Sequence, residues 1–153
     1  PLPLPECLTL GIALAEALER LHGVGLVHRD IKPANVIFVA GLPKLADVGL
    51  VAETKTAKTF VGTEGYMPPE GPGAPQADLY SLGMVLYEIS MGKDCGHFPE
   101  LPTHIADNMQ ADGLLELNQI ILKACAQDCE ERYQTARQMH EDLVRLANKP
   151  SRT

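Results

Sequence analysis

Asp30, Lys32 and Asn35 stand close together in the segment His28-Arg29-Asp30-Ile31-Lys32-Pro33-Ala34-Asn35-Val36-Ile37. A carboxylate, an ammonium and a carboxamide at that spacing are an unusual grouping for a connecting loop, and the carboxylate is a candidate base. Pro33 fixes φ and lacks an N–H, so the segment is not a helix interior. Leu26-Val27 before it and Val36-Ile37-Phe38-Val39 after it have strand-like composition. The polar residues are therefore expected on a tight loop pinned between two buried strands, the usual way a scaffold presents chemistry.

The segment resembles the catalytic loop of protein kinases, whose pattern is H-R-D-x-x-x-x-N. A turn with incidental charges would not be expected to match so many specified positions in order.

The elements around the loop can be read from periodicity. Pro1 to Pro5 alternates Pro and Leu and is expected to be an extended lead-in. From Glu6 to His22, Leu10, Ala13, Leu14, Ala17, Leu18 and Leu21 recur at helical spacing, with Glu16, Glu19 and Arg20 opposite. Gly23 and Gly25 stop that helix. After Val36–Val39, the turn Gly41-Leu42-Pro43 and the short strand Lys44-Leu45-Ala46 predict a hairpin ending at Asp47-Val48-Gly49. Residues 50–66 are rich in Thr and Lys and read as a mobile loop. Gly62-Thr63-Glu64-Gly65-Tyr66-Met67-Pro68-Pro69-Glu70 and a turn cluster at 71–75 follow. A helix beginning at Asp78 is apolar nearly all round, so it is expected to be buried, with Asp78 at its N-cap. Residues 92–113 are poorly periodic and read as loop with at most short helices. Leu114 to Ala126 is amphipathic. Thr135 to Ala147 is another helix, capped by Thr135, and Asn148 to Thr153 reads as a frayed tail.

Several of these features extend the resemblance. Asp47-Val48-Gly49 is similar to the kinase D-F-G, with Val for Phe, and Pro68-Pro69-Glu70 stands where A-P-E is usual. Asp78 resembles the aspartate that tethers the catalytic-loop backbone, and Arg132 resembles the partner of the A-P-E glutamate, which implies an Arg132–Glu70 ion pair. The resemblance implies a mainly α chain of the α+β kinase fold. Residues 1–147 would be the helical C-terminal lobe, with small hairpins flanking the catalytic loop, and 148–153 a flexible tail. The flavour of the turns and final helices is similar to bacterial serine/threonine kinases.

The same resemblance implies the site. Asp30 would orient the substrate hydroxyl and accept its proton. Lys32 would neutralise the γ-phosphoryl group of ATP, and Asn35 and Asp47 would hold Mg2+. Lys32 in this loop points to Ser/Thr acceptors. Ile37 would form the apolar floor under adenine. His28, Arg29, Thr63, Glu70, Asp78 and Arg132 would support the site, Thr63 by bonding within the catalytic loop. Arg29 beside Asp30 implies an activation segment that can be phosphorylated, with Thr54, Thr56 and Thr59 as candidate acceptors. Taken singly, Asp47 before a glycine reads as a turn, Asp78 as a cap and the threonines as a solvated loop. Their joint occurrence with residues 28–35 raises them.

Composition bounds the alternatives. The 153 residues are enough for one domain with a core, and 45% hydrophobic with 22% charged residues are ordinary globular values. Thirteen basic against twenty acidic residues give a net charge of −7 with no basic run. Nucleic acid and anionic membrane are thus poor partners; protein substrates are what the resemblance implies. Apolar stretches are broken well short of a membrane span and no signal pattern opens the chain, so a cytoplasmic setting is expected. Cys95, His97, Cys125 and Cys129 lack the recurring zinc spacings, and the cysteines read as reduced and structural.

Kinases also carry an N-terminal lobe with a G-x-G-x-x-G loop, a strand Lys and a helix Glu. Only 27 residues precede His28, none of them Lys, and Gly23-Val24-Gly25 is a helix stop. The ATP roof is expected to be absent from these residues, which begin at Pro1, so that the fragment alone is inactive. Two functional readings compete. One is the catalytic lobe of a serine/threonine kinase. The other, resting on Val48 and the missing lobe, is a pseudokinase-like interaction module. A hydrolase using Asp30 as its base is the remaining alternative.

Overall fold

The computed structural model describes residues 1–46, 52–53 and 62–150. Asp47, Val48, Thr54, Thr56 and Thr59, with the readings placed on them, lie outside the described residues.

Four helices carry the core: α1 (Leu4–Gly23), α2 (Pro75–Met91), α3 (Ala111–Ala124) and α4 (Ala136–Ala147). The helix α2 is central, because it is apolar on every side. Leu79, Leu82, Val85, Leu86 and Tyr87 are all fully enclosed. Leu14 and Leu18 of α1, Leu117 and Ile121 of α3, and Met139 and Leu143 of α4 close around it in one cluster. Gly83 lets α2 and α3 approach, since a Cβ there would lie 2.6 Å from Cys125 Sγ and 2.9 Å from Ala124 Cβ. Cys125 is buried, and burial pushes its thiol well above the ordinary range. No described helix is long and apolar enough to cross a membrane.

Two helices, each with a proline in its first turn, begin earlier than their sequence suggests. Residues 1–5 are not wholly extended, because α1 starts at Leu4 with Pro5 in its first turn. Likewise α2 starts at Pro75, so its N-cap is Ala74 and not Asp78. The physical reason is shared: a first-turn N–H has no helical partner, so proline loses nothing there and its fixed φ suits the helix. Asp78 sits one turn inside α2, which frees its carboxylate to serve another element. Thr135 caps α4 as its sequence suggests, accepting from the Gln138 amide. Between α2 and α3 lie two short 3-10 turns, Cys95–His97 and Ile105–Asp107, and α3 begins at Ala111, a turn ahead of Leu114. Past α4, Lys149 forms an ion pair with Glu116 of α3.

Two small antiparallel pairs flank the loop. β1 (Leu26–Val27) pairs with β4 (Ala52–Glu53), and β2 (Val36–Val39) pairs with β3 (Leu42–Leu45). The β2–β3 turn is Ala40-Gly41, both at positive φ, the two-residue geometry that matches strand twist. Leu42 and Pro43 therefore belong to the strand and not to the turn. The expectation that both flanking strands are buried fails for β2: Ile37 is 46% and Phe38 62% exposed, and Val39 and Leu42 are exposed beside them. Among the described residues nothing covers the outer surface of this hairpin.

Candidate active site

The loop between β1 and β2 is held from three sides. Ile31 is buried in the core cluster and anchors it from below. A short 3-10 turn, Pro33–Asn35, then delivers the chain into β2, and Ala46 after β3 returns to donate its N–H to the Asn35 carbonyl at 2.7 Å.

The second hold is Asp78, which is 2% exposed. Its Oδ2 accepts the His28 N–H at 2.8 Å and its Oδ1 accepts the Arg29 N–H at 2.9 Å. Arg29 needs that hold, because its φ is +75°, a left-handed conformation that costs a non-glycine residue about 1–3 kcal/mol. The third hold is the ring of His28. Its Nδ1 accepts the Asp30 N–H at 3.2 Å, so the proton resides on Nε2, which donates to the Ala46 carbonyl at 3.0 Å. One imidazole thus fixes the backbone of Asp30 against the end of β3.

With the backbone fixed, the polar side chains converge. Thr63 donates its hydroxyl to Asp30 Oδ1 at 2.7 Å and accepts from Lys32 Nζ at 2.9 Å. The same ammonium lies 3.6 Å from Asp30 Oδ2. Asn35 Nδ2 donates to the Asp30 carbonyl at 2.7 Å and to Asp30 Oδ2 at 3.2 Å. With Nδ2 so used, Asn35 Oδ1 is the remaining polar atom of that side chain, an oxygen donor of the kind hard cations take. Asp30 and Asn35 are buried and Lys32 is partly exposed. Ile37 lies on β2, two residues past this cluster.

The segment carrying Thr63 passes close under the loop. A Cβ on Gly62, at φ +140°, would meet the Arg29 carbonyl oxygen and Met67 Sδ, each at 2.9 Å, so only glycine fits. Ser81 of α2 holds the Tyr66 carbonyl at 2.6 Å, and Tyr66 donates to Glu88 at 2.8 Å. Burial, then that bond to Glu88, pushes the Tyr66 phenol far up.

The segment ends at Glu70, where Arg132 grips it with both guanidinium nitrogens, Nη2 reaching Oε2 at 3.0 Å. Arg132 is itself buried. Its Nε donates to the Ala126 carbonyl at 2.6 Å, and its guanidinium lies 5.0 Å from the Tyr80 ring centroid. Burial alone would raise the Glu70 carboxyl, but the hydrogen bonds and charge of Arg132 hold it below its usual value.

The structure therefore brings His28, Arg29, Asp30, Lys32, Asn35, Thr63 and Asp78 to one place, and Glu70 with Arg132 to the end of the same segment. Two partners were not legible in the sequence. Ala46 acts through its backbone, and His22 gives no signal beyond ending a helix, yet its ring reaches Asp78. Cys95, His97, Cys125 and Cys129 do not assemble: among the described residues no three His, Cys, Asp or Glu side chains gather as metal ligands.

The model of the family described as "Protein kinase domain" matches residues 5–150. The chain belongs to the protein kinase family. It is 33% identical to "Serine/threonine-protein kinase PknB" of Mycobacterium leprae, over 95% of this chain and 27% of that protein. It is 35% identical to the protein of the same name from Mycobacterium tuberculosis, over 87% of this chain and 25% of that one. With "Probable serine/threonine-protein kinase CPE1738" of Clostridium perfringens it shares 31% identity, over 99% of this chain and 25% of that protein. The chain thus spans about a quarter of the length of the curated kinases it matches.

Proposed function

We propose that residues 1–147 are the C-terminal lobe of a serine/threonine protein kinase, with its small lobe supplied by sequence outside these 153 residues. The observation that carries the reading is the chain of bonds from Lys32 through Thr63 to Asp30, closed by Asn35.

Phosphoryl transfer is mostly positioning and charge neutralisation, and the arrangement suits both. An ionised carboxylate offers about four lone-pair directions. Thr63 and Asn35 occupy two of those on Asp30, which leaves room for an incoming hydroxyl. Asp30 thereby orients that hydroxyl and accepts its proton. Lys32 uses one N–H on Thr63 and keeps others for the transferring phosphoryl group. ATP would be the donor, and Asn35 with Asp47 would hold a Mg2+ that neutralises phosphate charge. The residues fit such an ion: Asn35 offers Oδ1, and Asp47 follows in sequence directly after Ala46, whose N–H bonds Asn35. Ile37 lies on the adjacent strand as the floor for adenine. Arg29 pairs with a phosphate on the segment that holds Thr54, Thr56 and Thr59. Protein Ser/Thr side chains are the substrates, and the setting is cytoplasmic.

A non-catalytic interaction module is the competing reading, favoured by Val48 in place of Phe and by the exposed apolar hairpin at Ile37 and Phe38. The 153 residues alone test the proposal in one direction. They lack a Gly-rich loop and a strand Lys, so titration calorimetry should find weak MgATP binding and a radiolabel assay no phosphotransfer. Clear ATP-dependent phosphorylation by the isolated chain would contradict the division of labour proposed here.

A further inference from the structure

The end of α2 away from the catalytic loop carries a second concavity. Ser90 stands 12 residues past Asp78, roughly 18 Å along the helix. There Met91, Pro102, Ile105, Asn108 and Leu114, together with Pro1, line a cavity of about 410 Å3, within the range of ligand pockets.

The surroundings of this cavity are apolar. Outside the β2–β3 hairpin, the exposed large hydrophobic side chains among the described residues are Leu2, Val24, Leu101, Met109 and Leu115. All but Val24 adjoin a lining residue in sequence: Leu2 follows Pro1, Leu101 precedes Pro102, Met109 follows Asn108 and Leu115 follows Leu114. Met109 is fully exposed, yet the backbone presenting it is held on both sides. Asn108 Oδ1 accepts the Gln110 N–H at 2.8 Å, and Gln110 Oε1 accepts the Leu4 N–H at 3.0 Å. A clustered apolar surface on a fixed backbone marks a contact site.

Charge selects the occupant. From residue 94 to residue 116 the chain holds five carboxylates, Asp94, Glu100, Asp107, Asp112 and Glu116, and no Lys or Arg. Lys93 pairs with Glu100 and Lys149 with Glu116. Among the described residues no Lys or Arg reaches Asp94, Asp107 or Asp112, and all three are exposed. Such a surface repels anionic lipid and nucleic acid, and complements a polypeptide that carries apolar and cationic residues together.

We propose that the cavity at the C-terminal end of α2, with its apolar rim, docks a lysine- or arginine-bearing amphipathic segment of a partner protein. Apolar side chains at i, i+3, i+4 and i+7 enter the groove, and the cationic face meets Asp107 and Asp112. Nothing in this docking depends on phosphotransfer.

Nuclear magnetic resonance titration of the 153-residue chain tests it with a Leu/Lys amphipathic peptide of about 15 residues, beside its Leu/Glu counterpart. The Lys peptide should shift the amides of Ile105, Asn108, Met109 and Leu115, and bind at least roughly tenfold tighter than the Glu peptide. Its affinity should fall at least about threefold from about 50 to about 500 mM salt. Met109→Glu should remove the apolar anchor and weaken binding at least about threefold. The pair Asp107→Lys and Asp112→Lys should reverse the preference toward the Glu peptide. These side chains are exposed, so the fold should persist, with the amide spectrum of the core as the check. No binding, equal binding of the two peptides, or shifts confined to the β2–β3 hairpin would each overturn the proposal. Shifts of Met109 and Leu115 that grow with protein concentration in the absence of peptide would place a second copy of the chain in the groove, and would overturn it too.

Discussion

The Thr63 hydroxyl donates to Asp30 Oδ1 at 2.7 Å across 33 residues of sequence. The same oxygen accepts from Lys32, so one hydroxyl sets the distance between the carboxylate and the ammonium. Replacing Thr63 by Ser keeps both bonds, whereas Val keeps the shape and loses them. In a longer kinase that contains this chain, Thr63→Val should lower kcat by roughly 10–100-fold, within the range for a displaced positioning group. It should cost only about 1 kcal/mol of stability. Steady-state kinetics beside urea unfolding check this, and equal activity of the Val and Ser variants would refute it.

Asp78 joins three N–H groups from two elements while buried. Asp78→Ala strands the His28 and Arg29 amides and should cost about 3 kcal/mol, read from the denaturation midpoint at unchanged slope. An effect within about 0.5 kcal/mol, typical of unconstrained surface positions, would mean that the loop is held by other contacts.

The Glu70–Arg132 pair makes a pH prediction. Glu70 is held below its usual value of 4.5, so its folded form binds protons less readily than its unfolded form. Its stabilisation is therefore fully present above about pH 4.5 and disappears as the pH falls through the lower folded value. Urea unfolding from pH 7 to pH 3 should show wild type more stable than Glu70→Gln at neutral pH, with the gap closing on acidification. A gap that widens toward pH 3 would reverse the sign and remove the pair as its cause.

These contacts show where the sequence was informative. The loop was legible because proline, charge and carboxamide spacing are local properties, three helices because their apolar phase repeats at helical spacing, and α2 because its apolar run goes nearly all round. Helix starts were misread at Pro5 and Pro75, since composition alone does not show that a proline will fall in a first turn, where it is harmless. Local pattern made Asp78 look like a cap for its own helix, because acidic residues favour helix starts; its hold on residues 28 and 29 was implied only by the family resemblance. His22 was invisible for the same reason: a hydrogen bond between residues 56 apart leaves no local periodicity. The apolar run Val36–Val39 read as buried, which held in composition and failed in packing.

That hairpin carries its own prediction. Ile37, Phe38, Val39 and Leu42 form an exposed apolar patch of the kind that marks an unoccupied contact. The isolated 153-residue chain should self-associate in sedimentation velocity at micromolar concentration. Phe38→Lys should shift it toward monomer with little change in thermal stability. Association that persists in Phe38→Lys and in Ile37→Lys would place the contact elsewhere.

The most direct test of the central claim is phosphotransfer by a longer protein that joins a small kinase lobe to residues 1–153. The wild type should phosphorylate Ser/Thr in generic protein acceptors with ATP and Mg2+. Asp30→Asn should lower kcat by at least about 100-fold, as expected for loss of a positioned base, while its unfolding midpoint stays near that of wild type. A wild type inactive with every acceptor, or an Asp30→Asn variant as active as wild type, would contradict it.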